Sequence, residues 1–248
     1  MFDKIVNIFA KKGPTHKYYV DIHSHLIPGI DDGSKSMDES IELIGVLKDL
    51  GFKKIITTPH IMQHRYPNTS DIIRQGFVNV QKELIKRGID IDIEVASEYY
   101  FDEHLLELIN KRDILTFGDN YLLFELPYHS KPINLESVIF EMIVAGYKPV
   151  LAHPERYVYM HQNFEDYEKL KETGVMFQVN LNSFDGYYSK PVQKVANFLS
   201  NRGLIDLIGS DTHKARHLEH FSKNINSNLI DRIFEKNKIL NDYFLSST

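Results

Sequence analysis

Imidazoles and carboxylates recur in this chain in short runs, each behind a hydrophobic, β-prone stretch. Asp21-Ile22-His23-Ser24-His25 comes first, then Pro28-Gly29-Ile30-Asp31-Asp32-Gly33, Thr57-Thr58-Pro59-His60 and Ser97-Glu98. Phe124-Glu125, Ala152-His153-Pro154-Glu155-Arg156 and Gly209-Ser210-Asp211-Thr212-His213 complete the series. His23 and His25 are two apart, so in an extended chain they leave the same side and can grip one cation together. Glu98, Glu125 and Asp211 offer oxygen donors, and His60 and His213, with Asp32 or its neighbour Asp31, could hold another ion at the rim. So many donors exceed a single tetrahedral site and suit two or three ions. Imidazole and carboxylate together fit zinc, manganese or iron, and the carboxylate share leans toward manganese or iron. Each run alone has an ordinary explanation: an H-x-H pair arises by accident, a strand-end Asp caps a helix, and a buried His is commonly just hydrogen-bonded. Their shared position behind strands is what points to metal chemistry.

The elements that must carry these runs follow from hydrophobic periodicity. Strand-like runs fall at Tyr18–Ile22, Lys54–Thr57, Ile91–Val95, Tyr121–Glu125, Pro149–Ala152, Val175–Val179 and Ile205–Ile208. Between them lie stretches with apolar spacing near 3.6: Ser36-Met37-Asp38-Glu39 reads as a capping box opening a helix to about Leu50. Others cover about Asp71–Arg87, Phe101–Lys111, Leu135–Ala145, Phe164–Thr173 and Pro191–Arg202, and Leu229–Leu240 reads as a last amphipathic helix. Alternation of this kind implies parallel strands with helical crossovers. An open doubly wound sheet would gather its site at one switch point. Polar runs behind nearly every strand favour instead a closed ring, whose active face lies at the strand C-termini. The expected fold is therefore α/β, a distorted (β/α)7 TIM-like barrel.

Composition narrows the function classes. The 248 residues carry no linker or repeat and read as one domain, with residues 1–16 as an N-terminal extension and 17–248 as the domain proper. A net charge of -5 without a basic stripe argues against nucleic acid as a partner. No apolar run nears the roughly 20 residues that span a bilayer, so stable membrane insertion is not expected. The apolar start, interrupted by Asp3 and Lys4, lacks the pattern of a secretory signal and reads as a short helix packed on the domain or a neighbouring subunit. Cysteine is absent, which fits a cytoplasmic location and removes every thiolate mechanism. His16, His104, His129, His161, His217 and His220 read as surface or structural residues. Tyr66, Tyr128, Tyr157, Tyr187 and Tyr188 read as aromatics near the rim of the site.

The runs Asp21-Ile22-His23-Ser24-His25, Pro28-Gly29-Ile30-Asp31-Asp32-Gly33, Thr58-Pro59-His60, Ala152-His153-Pro154-Glu155-Arg156-Tyr157 and Ser210-Asp211-Thr212-His213 closely resemble the polymerase-and-histidinol-phosphatase (PHP) superfamily. Within it they resemble the bacterial metal-dependent protein-tyrosine phosphatases of capsule and exopolysaccharide loci, in order, from about Tyr18 to His213. The resemblance implies a distorted (β/α)7 barrel of the PHP fold binding up to three ions, usually manganese. Position by position it implies His23, His25, Glu98 and Asp211 as ligands of one ion, with Glu98 bridging. Glu125 and His153 would complete a second ion, and Asp32, His60 and His213 would hold a third. Arg156 matches a phosphate-binding arginine, Arg65 is a candidate substrate arginine, and the arginine expected after the last histidine falls two positions early, at Arg216. His60 or His213 could donate a proton.

The resemblance implies a phosphoric monoester hydrolase acting on phosphotyrosine, with a cognate bacterial tyrosine kinase as the expected protein substrate. A small-molecule phosphatase such as a histidinol phosphatase is the alternative on the same metal face, and a non-catalytic regulatory barrel is a third reading. Iron or zinc in place of manganese, and an oligomer, are left open by the sequence.

Overall fold

The computed structural model describes residues 18–225 and 228–245; the N-terminal extension expected over residues 1–16 lies outside the described residues. Among the described residues nine strand segments appear: β1 (Val20–Asp21), β2 (Lys54–Thr57), β3 (His60–Ile61), β4 (Asp92–Val95), β5 (Glu98–Tyr100), β6 (Tyr121–Glu125), β7 (Lys148–Ala152), β8 (Met176–Asn180) and β9 (Leu207–Gly209). All ladders are parallel, in a three-stranded set β1-β2-β4 and a six-stranded set β3-β5-β6-β7-β8-β9.

The two sets are one ring of seven strands. β2 runs on into β3 across Thr58-Pro59, where proline has no N–H to give the ladder. β4 runs on into β5 across Ala96-Ser97, and Ala96 N–H still donates to Thr57 O at 2.9 Å. The seam between the last strand and the first closes at its upper end through main-chain bonds. A parallel bridge joins Ser24 and Thr212, Asp211 N–H donates to His23 O at 2.8 Å, and His25 N–H donates to Thr212 O at 2.9 Å. Lower down, a side chain replaces the ladder: Asn241 Nδ2 donates to Val20 O at 2.9 Å and to Ile208 O at 2.7 Å. The ring is therefore closed and distorted, because one asparagine amide is wedged between strands that do not pair there.

Helices α1 (Met37–Asp49), α2 (Ser70–Lys86), α3 (Glu103–Lys111), α4 (Leu135–Val144), α5 (Glu165–Glu172) and α6 (Lys190–Asn201) supply the crossovers. Ser36 Oγ caps α1 by accepting from Glu39 N–H, while the Glu39 carboxylate reaches the N–H of Lys35, one residue further out than a capping box requires. After β9 come α7 (Ala215–Ile225), which hydrophobic periodicity does not separate from the preceding polar run, and α8 (Leu229–Lys236). The expected helix to Leu240 stops short because Asn237 turns extended and spends its side chain on Ser200 O and the N–H of Ile205. Among the described residues no helix is long and apolar enough to cross a membrane.

The barrel interior is filled by Val20, Ile22, Ile56, Leu123, Val150 and Leu207. Its lower end is stoppered by Phe244, whose fully buried ring meets Phe117 and Tyr121 edge-on at 5.0 and 4.9 Å. Strand pleating sends alternate side chains to the larger layer under the helices. Apolar residues thus fill the ring from below, which leaves its C-terminal mouth to the polar runs.

Candidate metal centre and phosphate cleft

At that mouth the chain delivers donors from six of seven strands. His23 and His25 follow β1, Asp32 lies on the next loop, His60 opens β3, Glu98 opens β5, Glu125 closes β6, His153 follows β7, and Asp211 and His213 follow β9. All nine fall into overlapping groups whose donor atoms lie within 4.8 Å of one another. The groups are His25, Asp32, His60 and His213; His23, Glu98 and His153; His23, His25 and Asp211; and His60, Glu98 and Glu125. His23, His25, His60 and Glu98 are each shared between two groups, and Glu98 is the one carboxylate among them.

Hydrogen bonds fix how the imidazoles face. Gln178 Oε1 can only accept, so His23 Nδ1 donates to it at 2.7 Å and Nε2 is left with its lone pair. Asp31 Oδ2 likewise accepts from His25 Nδ1 at 3.0 Å. The two Nε2 atoms sit 3.3 Å apart and face Glu98 Oε2 at 3.2 and 3.3 Å. Asp211 Oδ1 stands 3.5 and 3.6 Å from them. Four acceptors thus converge with no hydrogen of their own, a focus that only a cation or extra protons can reconcile. His60 Nδ1 is buried without a hydrogen-bond partner, 3.3 Å from Glu98 Oε2 and 3.4 Å from Glu125 Oε1, a further sign that a cation fits here.

The electrostatics agree. Burial alone would raise Glu98 and Asp211, but the histidines around them, with Arg156 beside Asp211, hold both well below the usual carboxylate range. Burial pushes Glu125 well above that range, and the neighbouring Glu98 adds to it. Burial would lower His25, yet its bonds to Asp31 and Glu98 raise it well above the usual imidazole value. His60 is driven down to about 4 by burial, with His25 and His213 opposing its charge and Glu98 only partly compensating. Backbone strain is also stored here. His153 and Asp211 hold φ values of 35° and 49°, in the left-handed region that costs a non-glycine residue about 1–2 kcal/mol. Gly33 lets the loop close over the site, since a Cβ there would lie 2.2 Å from His25 O.

Four supporting residues lie outside the nine candidate ligands. Asp31, beside the candidate Asp32, is the buried one: besides His25 it accepts from Gly33 N–H at 2.9 Å and His60 N–H at 3.1 Å. Asp32 stays 44% exposed and points Oδ1 at His60 and His213, 3.5 Å from each. β8 gives no candidate ligand but supplies Gln178, whose Nε2 donates to Asn180 Oδ1 at 2.8 Å; Asn180 Nδ2 then donates to Asp211 Oδ2 at 2.7 Å. His217 Nδ1 donates to Asp211 O at 2.9 Å. Asp31 sits in the Pro28–Gly33 run beside the candidate, and the signal of the other three in the sequence is polarity at a strand end or a histidine one turn into a helix.

A cleft of about 800 Å³ opens over the cluster. Arg65, Arg156, Tyr66, Tyr128, Tyr187 and Tyr188 line it. So do the exposed His129 and, held by its bond to Asp211 O, His217, together with Lys214. Arg156 donates to Asp211 Oδ2 at 3.1 Å, and Arg65 packs over the Tyr66 ring at 5.1 Å. Arg216 is exposed in the first turn of α7 and does not line the cleft. The expectation for Tyr157 is corrected: it is fully buried below the rim, its hydroxyl donating to Ala152 O and accepting from Leu126 N–H.

The family model described as "Capsular polysaccharide synthesis, CpsB/CapC" matches residues 19–239. Tyrosine-protein phosphatase YwqE of Bacillus subtilis is 30% identical over 198 residues, 79% of this chain and 78% of that protein. Tyrosine-protein phosphatase CpsB of Streptococcus pneumoniae is 28% identical over 200 residues, 78% of this chain and 82% of that protein. A solved structure from work on these two proteins, described as metal-dependent tyrosine phosphatases, superposes with a TM-score of 0.76 at 28% identity. It covers 87% of this chain and 91% of that one.

Proposed function

This chain belongs to the CpsB/CapC family of capsular polysaccharide synthesis proteins, and from that premise we propose that it is a metal-dependent protein-tyrosine phosphatase. The observation that carries the reading is the convergence of nine histidine and carboxylate side chains, their donor atoms within 4.8 Å of one another in overlapping groups, beneath an arginine-bearing cleft. We assign the cations as manganese, two or three per chain, with His23, His25, Glu98 and Asp211 around one. Glu98, Glu125 and His153 take a second, and Asp32, His60 and His213 a third. Bound cations would supply charge stabilisation at the phosphoryl oxygens and an activated water.

The chain's own groups then divide the remaining work. Arg156 has five N–H donors and spends one on Asp211; its remaining edge suits phosphoryl oxygens. Arg65, exposed at the cleft mouth over Tyr66, adds a second positive charge for the incoming phosphate. Arg216, outside the lining, is left with a long-range charge effect alone. His60 and His213 both turn Nε2 to Asp32, and nitrogens committed to a cation cannot donate a proton; we assign both to binding. Tyrosinate tolerates this, because a phenol of pKa about 10 leaves without a strong general acid. The exposed rim supports a protein substrate, and the capsule context of the family supports a cognate cytoplasmic tyrosine kinase as that protein.

The test is one assay series. Chelated protein is reconstituted with manganese, iron or zinc and offered a phosphotyrosine peptide, a phosphoserine peptide and histidinol phosphate. Metal-dependent turnover of the phosphotyrosine peptide above the others is expected. Equal turnover of all three, or full activity after chelation, overturns the reading.

A further inference from the structure

Arg156 is held by more than its bond to Asp211. Its guanidinium lies over two tyrosine rings, 4.8 Å from the Tyr128 centroid and 4.6 Å from that of Tyr188, inside the range for cation–π attraction. Asn180 Nδ2 donates both to Asp211 Oδ2 at 2.7 Å and to the Tyr188 hydroxyl at 3.2 Å. The contacts form a closed circuit: Asp211 to Arg156, Arg156 to the Tyr188 ring, Tyr188 to Asn180, and Asn180 back to Asp211. Tyr128 sits on a second branch, stacked on His153 at 5.8 Å with 20° between the planes. Arg156 and both tyrosines of this clamp line the cleft.

We propose that Tyr188, seconded by Tyr128, is a positioning residue that sets the Arg156 guanidinium for the phosphoryl group; this rests on Arg156 binding phosphate, as in the proposed function. A long side chain with several rotatable bonds loses entropy on being fixed, and a single hydrogen bond leaves a guanidinium free to swing about it. Two π faces and one carboxylate define its plane, which presents the remaining N–H groups edge-on as a fork. The rings thereby serve the arginine, and recognition of the phosphoryl group is separated from recognition of the leaving group. Tyr188 is the cleaner probe, because Tyr128 also touches a candidate ligand.

A double-substitution cycle tests this. On manganese-loaded protein, orthophosphate affinity is measured by titration calorimetry, and kcat and KM with p-nitrophenyl phosphate and a phosphotyrosine peptide. Metal content and thermal midpoint are measured alongside. Arg156→Ala is expected to weaken orthophosphate binding and lower kcat/KM for both substrates. Tyr188→Met, which fills space without a π face, is expected to cost on the order of tenfold in both measures and equally for both substrates. Tyr188→Phe, which keeps the ring, is expected to cost no more than about threefold. In the Arg156→Ala background Tyr188→Met is expected to cost nothing further. A full additional loss in that background, or a loss confined to the peptide, overturns the inference and makes the ring a wall for substrate. No loss from Arg156→Ala itself overturns the underlying phosphate-binding reading instead. Should Tyr188→Met fail to fold, Tyr128→Met supplies the same cycle, with the same results supporting or overturning the inference.

Discussion

Gln178→Ala is the substitution from which most can be learned, because Gln178 belongs to no candidate group of cation donors. It is fully buried, accepts the His23 Nδ1 proton at 2.7 Å and holds Asn180 by a 2.8 Å bond. Removing the amide leaves a buried imidazole N–H without a partner, which costs about 1–3 kcal/mol. It also frees His23 to rotate or change tautomer, so that Nε2 no longer faces Glu98 and Asp211 in every molecule. Partners that orient metal-binding histidines typically govern roughly 10–100-fold in metal affinity or activity, in line with the energy of one orphaned donor. Manganese affinity, by calorimetric or fluorescence competition titration, is therefore expected to fall by about that factor. Activity should recover in large part at saturating manganese. Gln178→Glu sharpens the case: its carboxylate still accepts from His23, but it has no N–H for Asn180 Oδ1, so Asn180 and then Asp211 lose their register. It should bind manganese better than the alanine variant yet turn over more slowly than the native protein. Unchanged manganese affinity in Gln178→Ala, with the fold intact, would refute the claim that His23 is held for a cation.

Other consequences are open to measurement. Chelation should lower the thermal midpoint, and manganese at 100 times its dissociation constant should restore about 2.7 kcal/mol, read by calorimetry; a midpoint indifferent to metal would contradict this. Phe244→Ala opens a void at the barrel's lower end and should cost about 3–5 kcal/mol in urea unfolding, while the metal-saturated protein keeps its activity in the cold. Gly33→Ala forces a Cβ to within 2.2 Å of His25 O. It should cut manganese affinity along with stability, whereas Gly45→Ala, in open space within α1, should not destabilise. Arg65→Ala should raise KM for a phosphotyrosine peptide several-fold, while Arg216→Ala shifts it less, because only Arg65 lines the cleft.

Much of this architecture is legible in the sequence because two periodicities coincide. Alternation of strand-like and helix-like runs marks the seven strands, and polar runs behind them mark the mouth of the ring. β3 and β5 escape because Pro59 and the small Ala96-Ser97 pair read as strand ends, although the chain continues straight through them. Ring closure by Asn241 cannot be read from sequence, since a lone asparagine 221 residues from Val20 carries no local signal of its partner. The same limit hides Gln178 and Asn180. Residues that bind in concert announce themselves as motifs, whereas residues that orient them meet their partners only after folding. His217 shows a third reason: with Asp211 O as its partner it depends on the left-handed turn at Asp211, which an aspartate tolerates but does not advertise. Tyr157 departs in the other direction, because an aromatic next to a polar run can as well point into the core.

Nine side chains are gathered for cations, and manganese anomalous diffraction from crystals of the loaded protein shows whether they hold them. Two or three anomalous peaks are expected within the mouth of the ring, at least one of them coordinated by His23, His25 and Asp211 and one shared through Glu98. Density without an anomalous peak among these side chains at saturating manganese would contradict the account.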